Sequence, residues 1–208
     1  MADLDGFGPS DLEKAENVSR ETLERIEIVV AELDEWRTKI NLIGPSEFEQ
    51  VWRRHVWDSW QLFPHIPSAG KIIDLGSGSG FPALILAAGF ASKESHMTMI
   101  ESVGKKCAFL RAAVQAANLQ ANVVQGRVEA VNPVQADCVT ARAFAPLPKL
   151  LDYAEPWLKA GAYGVFPKGR RWEEELTAAQ ESWRFAYEAI PSVSWDGAIL
   201  KISEVSRV

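Results

Sequence analysis

Three glycines alternate along residues 74–82, Asp-Leu-Gly-Ser-Gly-Ser-Gly-Phe-Pro. An apolar stretch, 71–75, leads into this segment and a stretch of helical character follows it, so the glycines occupy a strand-to-helix turn. Because glycine has no Cβ, such a turn bends tightly and lets a bulky ligand lie against its backbone. The sequence therefore predicts a ligand-binding loop here, and Pro82 suits the first turn of the helix that follows.

Two ligands are compatible with this loop. Residues 78–83 match the pattern GxGxxA, which in dinucleotide-binding folds places a pyrophosphate at a helix N-terminus, but the match begins late in the turn and includes Pro82. S-adenosylmethionine carries no phosphate, and its site needs close backbone approach together with acceptors for a cationic amino acid group and a ribose. Glu101, at the end of the next predicted strand, suits the ribose of either ligand. Asp74, directly before the loop, favours S-adenosylmethionine.

Further polar segments follow predicted strands, at the carboxyl ends where open α/β sheets bind ligands. They are 101–111 with Lys105 and Lys106, 127–129, 140–145 with Arg142, and 166–169. We expect these segments to meet around the glycine loop at one edge of a sheet.

Six motifs occur in order along the chain: Asn41-Leu42, 54–59 (RHVWDS), 74–82 (DLGSGSGFP), 101–106 (ESVGKK), 127–129 (RVE) and 142–145 (RAFA). Together they resemble the bacterial glucose-inhibited division protein B, or RsmG, family, and the resemblance extends from about Asn41 to Lys168. Two positions depart from the family pattern. Ala83-Leu84 stands where Gly-Ile is common, and Ala141 stands where Ser is frequent.

The resemblance implies a methyltransferase that uses S-adenosylmethionine to modify N7 of a guanine in 16S ribosomal RNA, in a decoding-region loop of the small ribosomal subunit. It also implies that Gly76 and Phe81 line the cofactor pocket, that Val128 and Glu129 meet the adenine side, and that Arg142 lies at the edge. Combined with the argument from the loop, the predicted cofactor-binding residues are Gly76, Gly78, Phe81, Glu101, Val128, Glu129 and Arg142.

Methylation of guanine N7 places few demands on side-chain chemistry. N7 carries an available lone pair at neutral pH, so no general base and no covalent nucleophile are needed. Holding the two reactants in line can itself supply ~7–11 kcal/mol. We therefore predict neither a catalytic base nor a metal site. Asn132-Pro133 lacks the rest of the amino-methyltransferase motif and is interpreted as a turn, and Cys138 is interpreted as a buried packing residue rather than a nucleophile.

Basic residues near the predicted site are the candidates for RNA contact, with surface solvation as the alternative for each: Arg54, His55, Lys105, Lys106, Arg142, Lys168 and Arg170. Arg142 differs from the rest, because it can pair with the cofactor carboxylate or with O6 of the guanine, and the sequence leaves both open. His55 and Asp58 lie one helical turn apart and can hydrogen-bond. Such a pair would either tie the amino-terminal helices to the sheet or belong to a segment that closes over the cofactor or meets RNA.

Helices are predicted ahead of the glycine loop. Apolar residues recur at helical spacing over 12–40, which predicts one helix capped by Ser10 and ended near 41–45. A second helix, with Ser46 as its cap, is predicted up to about residue 59, and 63–70 is a connector.

After residue 70, short apolar stretches alternate with amphipathic stretches of helical length, which is typical of parallel βαβ units. The predicted strands are 71–75, 97–101, 122–125, 137–142 and 162–167, with helices at 82–90, 105–118, 147–158 and 172–187. An Asp196-Gly197 turn predicts a terminal antiparallel hairpin between 193–195 and 198–202.

The predicted fold is therefore α/β: a Rossmann-like, class I S-adenosylmethionine-dependent methyltransferase sheet, mostly parallel, with a C-terminal antiparallel hairpin and N-terminal helices before it. Residues 1–66 are expected to form a helical extension packed on the core, and residues 67–208 the methyltransferase domain.

The composition is that of a folded domain, since 208 residues with 47% hydrophobic content can bury a core without a disulfide or a metal. A net charge of -6 argues against sequence-independent binding of bare nucleic acid, although a local basic face remains compatible with it. We recognise no secretion signal and no apolar run of membrane length. These features place the protein in the cytoplasm and predict no membrane association and no obligate protein partner.

Two other functions remain open from the residues alone. The acidic composition suits a methyltransferase of a small molecule or a protein, and the GxGxxA match suits an NAD-binding oxidoreductase.

Overall fold

The computed structural model describes residues 6–90, 94–194 and 196–208. These residues form one seven-stranded sheet in the order β3-β2-β1-β4-β5-β7-β6. The strands are β1 (Lys71–Leu75), β2 (His96–Glu101), β3 (Ala121–Gln125), β4 (Cys138–Thr140), β5 (Tyr163–Lys168), β6 (Trp183–Pro191) and β7 (Ala198–Arg207).

Strands β1 to β5 run parallel, and β7 runs antiparallel to both β5 and β6. The strand order reverses beside β1, between β2 and β4, and such a reversal opens a crevice at the carboxyl ends of the strands. The predicted α/β sheet with an antiparallel C-terminal hairpin is confirmed.

Helices cover both faces of the sheet. They are α1 (Pro9–Glu16), α2 (Arg20–Arg37), α3 (Pro45–Phe48), a π-helix (Trp52–Trp57), α4 (Asp58–Trp60), α5 (Ala83–Ala88), α6 (Gly104–Ala116), α7 (Leu147–Lys159) and α8 (Trp172–Gln180), with short 3-10 turns at Phe63–His65 and Val128–Ala130. No helix in the described ranges is long and apolar enough to cross a membrane.

The core has two parts because successive side chains of a strand point to opposite faces. Ile72 of β1 packs with α2, α5 and α6, whereas Ile73 and Leu75 of the same strand pack with α7 and α8. Buried residues of α1 and α2 belong to the first part, so the amino-terminal helices pack on the same core as the sheet.

The predicted single helix over 12–40 is wrong, because the chain turns between α1 and α2. Asn17 adopts the left-handed conformation, with φ 50°. The Ser19 side chain accepts a hydrogen bond from the Thr22 N–H at 3.2 Å and caps α2. The cap of α1 is Gly8 rather than Ser10, which lies inside the helix. The cap of α3 is likewise Gly44 rather than Ser46.

The predicted helix over 172–187 is also wrong, because α8 ends at Gln180 and β6 begins at Trp183. Trp183, Phe185 and Tyr187 recur at every second residue, which is the period of a strand, and Trp183 is buried in the core. The first strand of the hairpin is consequently β6 rather than 193–195. Val193 and Ser194 lie in the connection between β6 and β7, and Trp195 lies outside the described residues.

Candidate functional site

The glycine loop leaves the carboxyl end of β1, and each of its glycines has a positive φ: 67° at Gly76, 54° at Gly78 and 87° at Gly80. The two positions that face the site differ in what a side chain would meet. A Cβ at Gly76 would lie 2.2 Å from Cδ2 of Phe144, whereas a Cβ at Gly78 would meet only the Gly76 carbonyl oxygen, at 3.6 Å. Gly76 therefore makes room for Phe144, and Gly78 leaves the backbone facing open space.

A cavity of about 400 Å³ lies over this loop at the ends of β1, β2 and β4. All seven residues predicted to bind the cofactor line it: Gly76, Gly78, Phe81, Glu101, Val128, Glu129 and Arg142. Leu42, Phe144 and Tyr153 also line it. Leu42 and Phe144 belong to the motifs 41–42 and 142–145 but were assigned no role from the sequence, and Tyr153 lies outside those motifs. We call this space the first cavity.

Glu101 is held in place by the backbone of two loops. One carboxylate oxygen accepts the Gly78 N–H at 2.9 Å, and the other accepts the Val103 N–H at 2.7 Å. A carboxylate oxygen accepts more than one hydrogen bond, so each oxygen keeps capacity toward the cavity. An oriented acceptor beside a glycine that leaves the loop open suits the ribose hydroxyls of a nucleoside.

Asp74 does not line the first cavity, although its position before the loop suggested a ligand contact. Its side chain is buried and accepts a hydrogen bond from Thr140 Oγ1 at 2.7 Å. Burial raises the pKa of this carboxyl to about 7, and hydrogen bonds from Ser77 and Thr140 oppose the shift. Asp74 therefore joins β1 to β4 beneath the loop.

A second cavity, of about 580 Å³, adjoins the first. Arg142, Ala143 and Phe144 line both spaces and form the wall between them. Of the residues predicted to contact RNA, Arg54, His55, Arg142 and Lys168 line the second cavity, and Lys106 lines the first. Lys105 and Arg170 line neither of these two cavities.

Arg142 is bound on several sides by the amino-terminal segment. Its Nη1 donates to Asp58 Oδ2 at 2.9 Å and to the Arg54 carbonyl at 3.3 Å, and its Nη2 contacts His55 Nδ1. His55 and Asp58, which sequence spacing suggested could bond each other, instead both bind Arg142. The π-helix carries Arg54 and His55, and Asp58 follows directly after it.

His55 is uncharged at neutral pH in this arrangement. Burial, together with the charges of Arg142 and Arg54, lowers the pKa of its imidazole to about 3. Its ring stacks on Phe81, with centroids 4.8 Å apart. Because Arg142 donates to Nδ1, the ring proton lies on Nε2, which is buried and has no hydrogen-bond partner in the described part of the chain.

Lys168 and Arg170 are both paired with acids. Lys168 Nζ donates to the Ala145 carbonyl and to Glu175 Oε2, each at 2.9 Å, and its side chain is only 9% exposed. Arg170 forms an exposed ion pair with Asp196 at 3.0 Å. Lys105 is exposed at the start of α6. Lys168 therefore serves the packing of α8 against the site rather than an exposed basic surface.

Other chemistry is sparse in the described residues. They contain no group of three or more His, Cys, Asp or Glu side chains that could hold a metal ion. Cys138 is buried within β4, and burial raises the pKa of its thiol. This location agrees with a packing role.

Comparison with known proteins decides which family this site belongs to. The GidB family model, described as rRNA small subunit methyltransferase G, matches residues 22–196. The chain belongs to this family. Curated relatives named ribosomal RNA small subunit methyltransferase G include one from Hyphomonas neptunium, 66% identical over 194 residues and covering 93% of each chain. Another, from Paramagnetospirillum magneticum, is 44% identical and covers 97% of this chain and 98% of its own.

Solved structures support the fold. An O-methyltransferase from Bacillus cereus, in complex with SAH, superposes with a TM-score of 0.58 at 13% identity, covering 94% of this chain and 96% of its own. A SAH-bound methyltransferase from Podospora anserina gives 0.58 at 14% identity, covering 89% and 96%. The family match favours the methyltransferase interpretation of the glycine loop over the oxidoreductase alternative.

Proposed function

We propose that this protein transfers a methyl group from S-adenosylmethionine to N7 of a guanine in 16S ribosomal RNA. The observation that carries the proposal is the family match over residues 22–196, which spans every residue lining the first cavity. Relatives over nearly the whole chain are named as methyltransferases of small-subunit ribosomal RNA. Guanine N7 is the acceptor atom implied by the motif resemblance.

The first cavity is the proposed cofactor site. Gly78 lets the ligand approach the backbone, and Glu101 accepts from the ribose hydroxyls. Phe81 and Val128 supply apolar surface, and Glu129 lies at the adenine side. Gly76 acts indirectly, because its missing Cβ admits the Phe144 ring that lines the same cavity.

When bound, S-adenosylmethionine supplies a sulfonium methyl group: the N7–CH₃ bond forms as the S–CH₃ bond breaks, and the positive charge passes from sulfur to the base. The protein's residues would hold the base in line with the methyl group, and this orientation is where the rate gain of such a reaction arises. His55 is neutral because its pKa is lowered to about 3, and Arg142 occupies its Nδ1 lone pair, so this imidazole is not free to accept a proton. This agrees with a reaction that requires no general base.

The proposed setting is the small ribosomal subunit or an assembly intermediate, in the cytoplasm, with ribosomal RNA as the partner. Two exposed basic residues are the proposed contacts to phosphates: Arg127, which lines the first cavity, and Lys105, which lies beside Lys106 at the start of α6. We also propose that residues 1–66 act as a helical extension of the methyltransferase domain at 67–208, since α1 and α2 share its core.

The test is methyl transfer from labelled S-adenosylmethionine to small subunits that lack the modification, with naked 16S RNA in parallel. Digestion to nucleosides and mass mapping then identify the modified atom. We expect 7-methylguanosine at one site. Absence of label, or label at another atom, contradicts the proposal, and label in subunits but not in naked RNA identifies the assembled particle as the substrate.

A further inference from the structure

The second cavity adjoins the first through Arg142, Ala143 and Phe144. An acceptor atom must come within ~3–3.5 Å of the methyl group it receives, so the acceptor has to occupy a space that opens into the cofactor site. A third cavity, of about 270 Å³, also adjoins the first, but its lining includes Glu129 and Asp152 and no Arg or Lys. Of these spaces, only the second combines access to the first with cationic donors.

The charges around the second cavity are balanced. Three cationic side chains, Arg54, Arg142 and Lys168, line it together with three carboxylates, Glu47, Asp58 and Glu175. A phosphate site would carry an excess of positive charge. A balanced site instead suits a neutral heterocycle that becomes cationic during the reaction, because the carboxylates offset the charge that appears on it.

We propose that the second cavity receives the target guanine and that Arg142 donates a hydrogen bond to O6 of the base, thereby selecting guanine over adenine. The inference rests on the proposed function. A guanidinium group has donors and no acceptor. Guanine presents O6 as an acceptor beside N7, whereas adenine presents an N6 donor at the same place. With adenine in this position, the N6 amino group and the Arg142 guanidinium would both be donors. Neither would find an acceptor in the other, and leaving buried polar groups unpaired is costly.

The contacts of Arg142 explain why it would not block N7. A free arginine pairs with O6 and N7 of guanine together, and that pairing would occupy the lone pair that accepts the methyl group. Here Nη1 is occupied by Asp58 and the Arg54 carbonyl, and Nη2 contacts His55. The guanidinium is therefore fixed, with only part of its donor fork left for a ligand. Asp58 and His55 are positioning residues for Arg142.

The experiment compares bases that differ at position 6. Small subunits are assembled in vitro on RNA that carries guanosine, inosine or 2-aminopurine riboside at the mapped target position, and single-turnover methyl transfer is measured at saturating S-adenosylmethionine. Inosine keeps O6 and N7, and 2-aminopurine keeps N7 but lacks O6. For the wild type we expect 2-aminopurine to react about 10- to 100-fold more slowly than guanosine, the range for a hydrogen bond from a charged donor. Inosine should react within about threefold of guanosine.

Arg142→Met removes the proposed donor. We expect the guanosine rate to fall toward the 2-aminopurine rate, so that their ratio approaches one, while the dissociation constant of S-adenosylmethionine changes by less than about threefold. Because this variant leaves the buried Asp58 carboxylate without its cation, the double variant Arg142→Met/Asp58→Asn is measured beside it, with thermal melting of both. Arg184→Met, on the exposed part of β6, is the matched control and should keep the wild-type ratio.

The outcomes separate the two proposals. A wild type that methylates guanosine but treats 2-aminopurine equally well overturns the role of Arg142 and leaves the proposed function standing. The same holds if both Arg142 variants keep the wild-type ratio and instead lose affinity for S-adenosylmethionine, because Arg142 would then serve the cofactor. A wild type that transfers no methyl group to the guanosine subunits overturns both proposals.

Discussion

Glu101 holds two loops and faces the proposed ribose position with the same carboxylate. Replacing it by Ala would remove a ligand contact and also release the N–H groups of Gly78 and Val103. We therefore expect Glu101→Ala to weaken S-adenosylmethionine binding by about 1–3 kcal/mol and to lower the melting temperature of the ligand-free protein as well. Calorimetric titration and thermal melting measure the two effects.

Glu129 is the matched control, because it is an exposed acid that lines the same cavity. Glu129→Ala should weaken binding while leaving the melting temperature within the small range of surface substitutions. If Glu101→Ala lowers affinity with no change in melting, its bonds to the two backbone N–H groups contribute nothing to stability and the structural argument is wrong.

Alanine substitutions at Gly76 and Gly78 distinguish a steric clash inside the protein from a loss of space for the ligand. Both have positive φ, so alanine at either position costs roughly 1–2 kcal/mol in backbone strain. Gly76→Ala adds a collision with Phe144, whereas Gly78→Ala projects into the open cavity. We expect Gly76→Ala to lower the free energy of unfolding more, and Gly78→Ala to lower cofactor affinity with the smaller loss of stability. Urea unfolding measures the stability of the two variants, and ligand titration measures their cofactor affinity. Equal unfolding free energies for Gly76→Ala and Gly78→Ala would contradict the contact with Phe144.

His55 and Asp74 act on stability in opposite directions as pH changes. Burial, assisted by Arg142 and Arg54, lowers the pKa of His55 to about 3, so the unfolded chain binds a proton that the folded chain does not, and stability is lost as pH falls below about 6.5. Burial raises the pKa of Asp74 to about 7, so its contribution is fully present below about pH 4 and is lost as pH rises toward 7.

The two slopes partly cancel between about pH 4 and 6.5 in the wild type. Asp74→Asn should therefore make stability rise with pH in this window, and His55→Asn should make it fall, each changing the slope by up to about 1.4 kcal/mol per pH unit. Urea unfolding at pH 4.5, 5.5 and 6.5 provides the measurement. Slopes parallel to that of the wild type in both variants would show that neither group titrates as the burial argument requires.

For individual residues, the sequence predicted which side chains surround the first cavity, because the carboxyl ends of parallel strands meet at one edge of the sheet and the motifs lie at those ends. It did not predict how they are used. Asp74 and Lys168 were interpreted as groups facing a ligand, yet Thr140 binds Asp74 in the interior and Glu175 binds Lys168 in a partly buried ion pair. Such pairings join residues far apart in the chain, and no local pattern records them.

Among the elements, the π-helix at Trp52–Trp57 has the largest effect on the position of Arg142. Together with α4 it directs His55 and Asp58 at Arg142. The connection between β6 and β7 supports Asp58 from the other side, since Ser194 Oγ donates to Asp58 Oδ1 at 2.5 Å and Gln61 donates to the same oxygen at 2.9 Å. π-helical turns are frequent at functional sites. Here the turn and α4 connect the amino-terminal helices with Arg142 after β4 and with the β6–β7 connection.

Ser194→Ala tests this junction. Asp58 is buried, so losing one donor should cost about 1–3 kcal/mol in the free energy of unfolding, and amide hydrogen exchange over 52–60 should become faster. Ser206→Ala, at an exposed position of β7, is the matched control and should change stability by less than about 0.5 kcal/mol. Unchanged exchange over 52–60 in the Ser194 variant would contradict the link between the hairpin and the π-helix.

The elements that the sequence predicted correctly are those whose period is unbroken. The parallel strands from β1 to β5 were found within a few residues of their ends, because short apolar runs alternate with helical ones. The change from α8 to β6 was missed because the helical pattern from Trp172 was continued through Trp183, although the alternation of Trp183, Phe185 and Tyr187 was a usable signal. The π-helix has no such signal, since its contacts to Arg142 are made by tertiary structure.

For the molecule as a whole, a net charge of -6 has to be reconciled with an RNA substrate. Total charge opposes association with a polyanion, so binding depends on where the cations lie and on whether they are already neutralised. Lys168 is buried against Glu175 and contributes little outward field, whereas Lys105 is exposed at the end of α6 that borders the first cavity. The basic residues counted in the sequence are therefore unequal as RNA contacts.

This inequality predicts different salt dependences for two single-charge changes. Lys105→Gln should weaken RNA binding and reduce the slope of log K against log salt concentration by about 0.7, the contribution of one phosphate contact to a single strand. Lys168→Gln removes the same charge but should leave that slope nearly unchanged and instead lower the free energy of unfolding by up to about 3 kcal/mol, because Glu175 loses its partner. Binding titrations across a series of KCl concentrations, paired with urea unfolding, distinguish the two. If Lys168→Gln reduces the slope as much as Lys105→Gln, the ion pair between Lys168 and Glu175 opens to meet RNA, and the second cavity carries more positive charge in the complex than in the free protein.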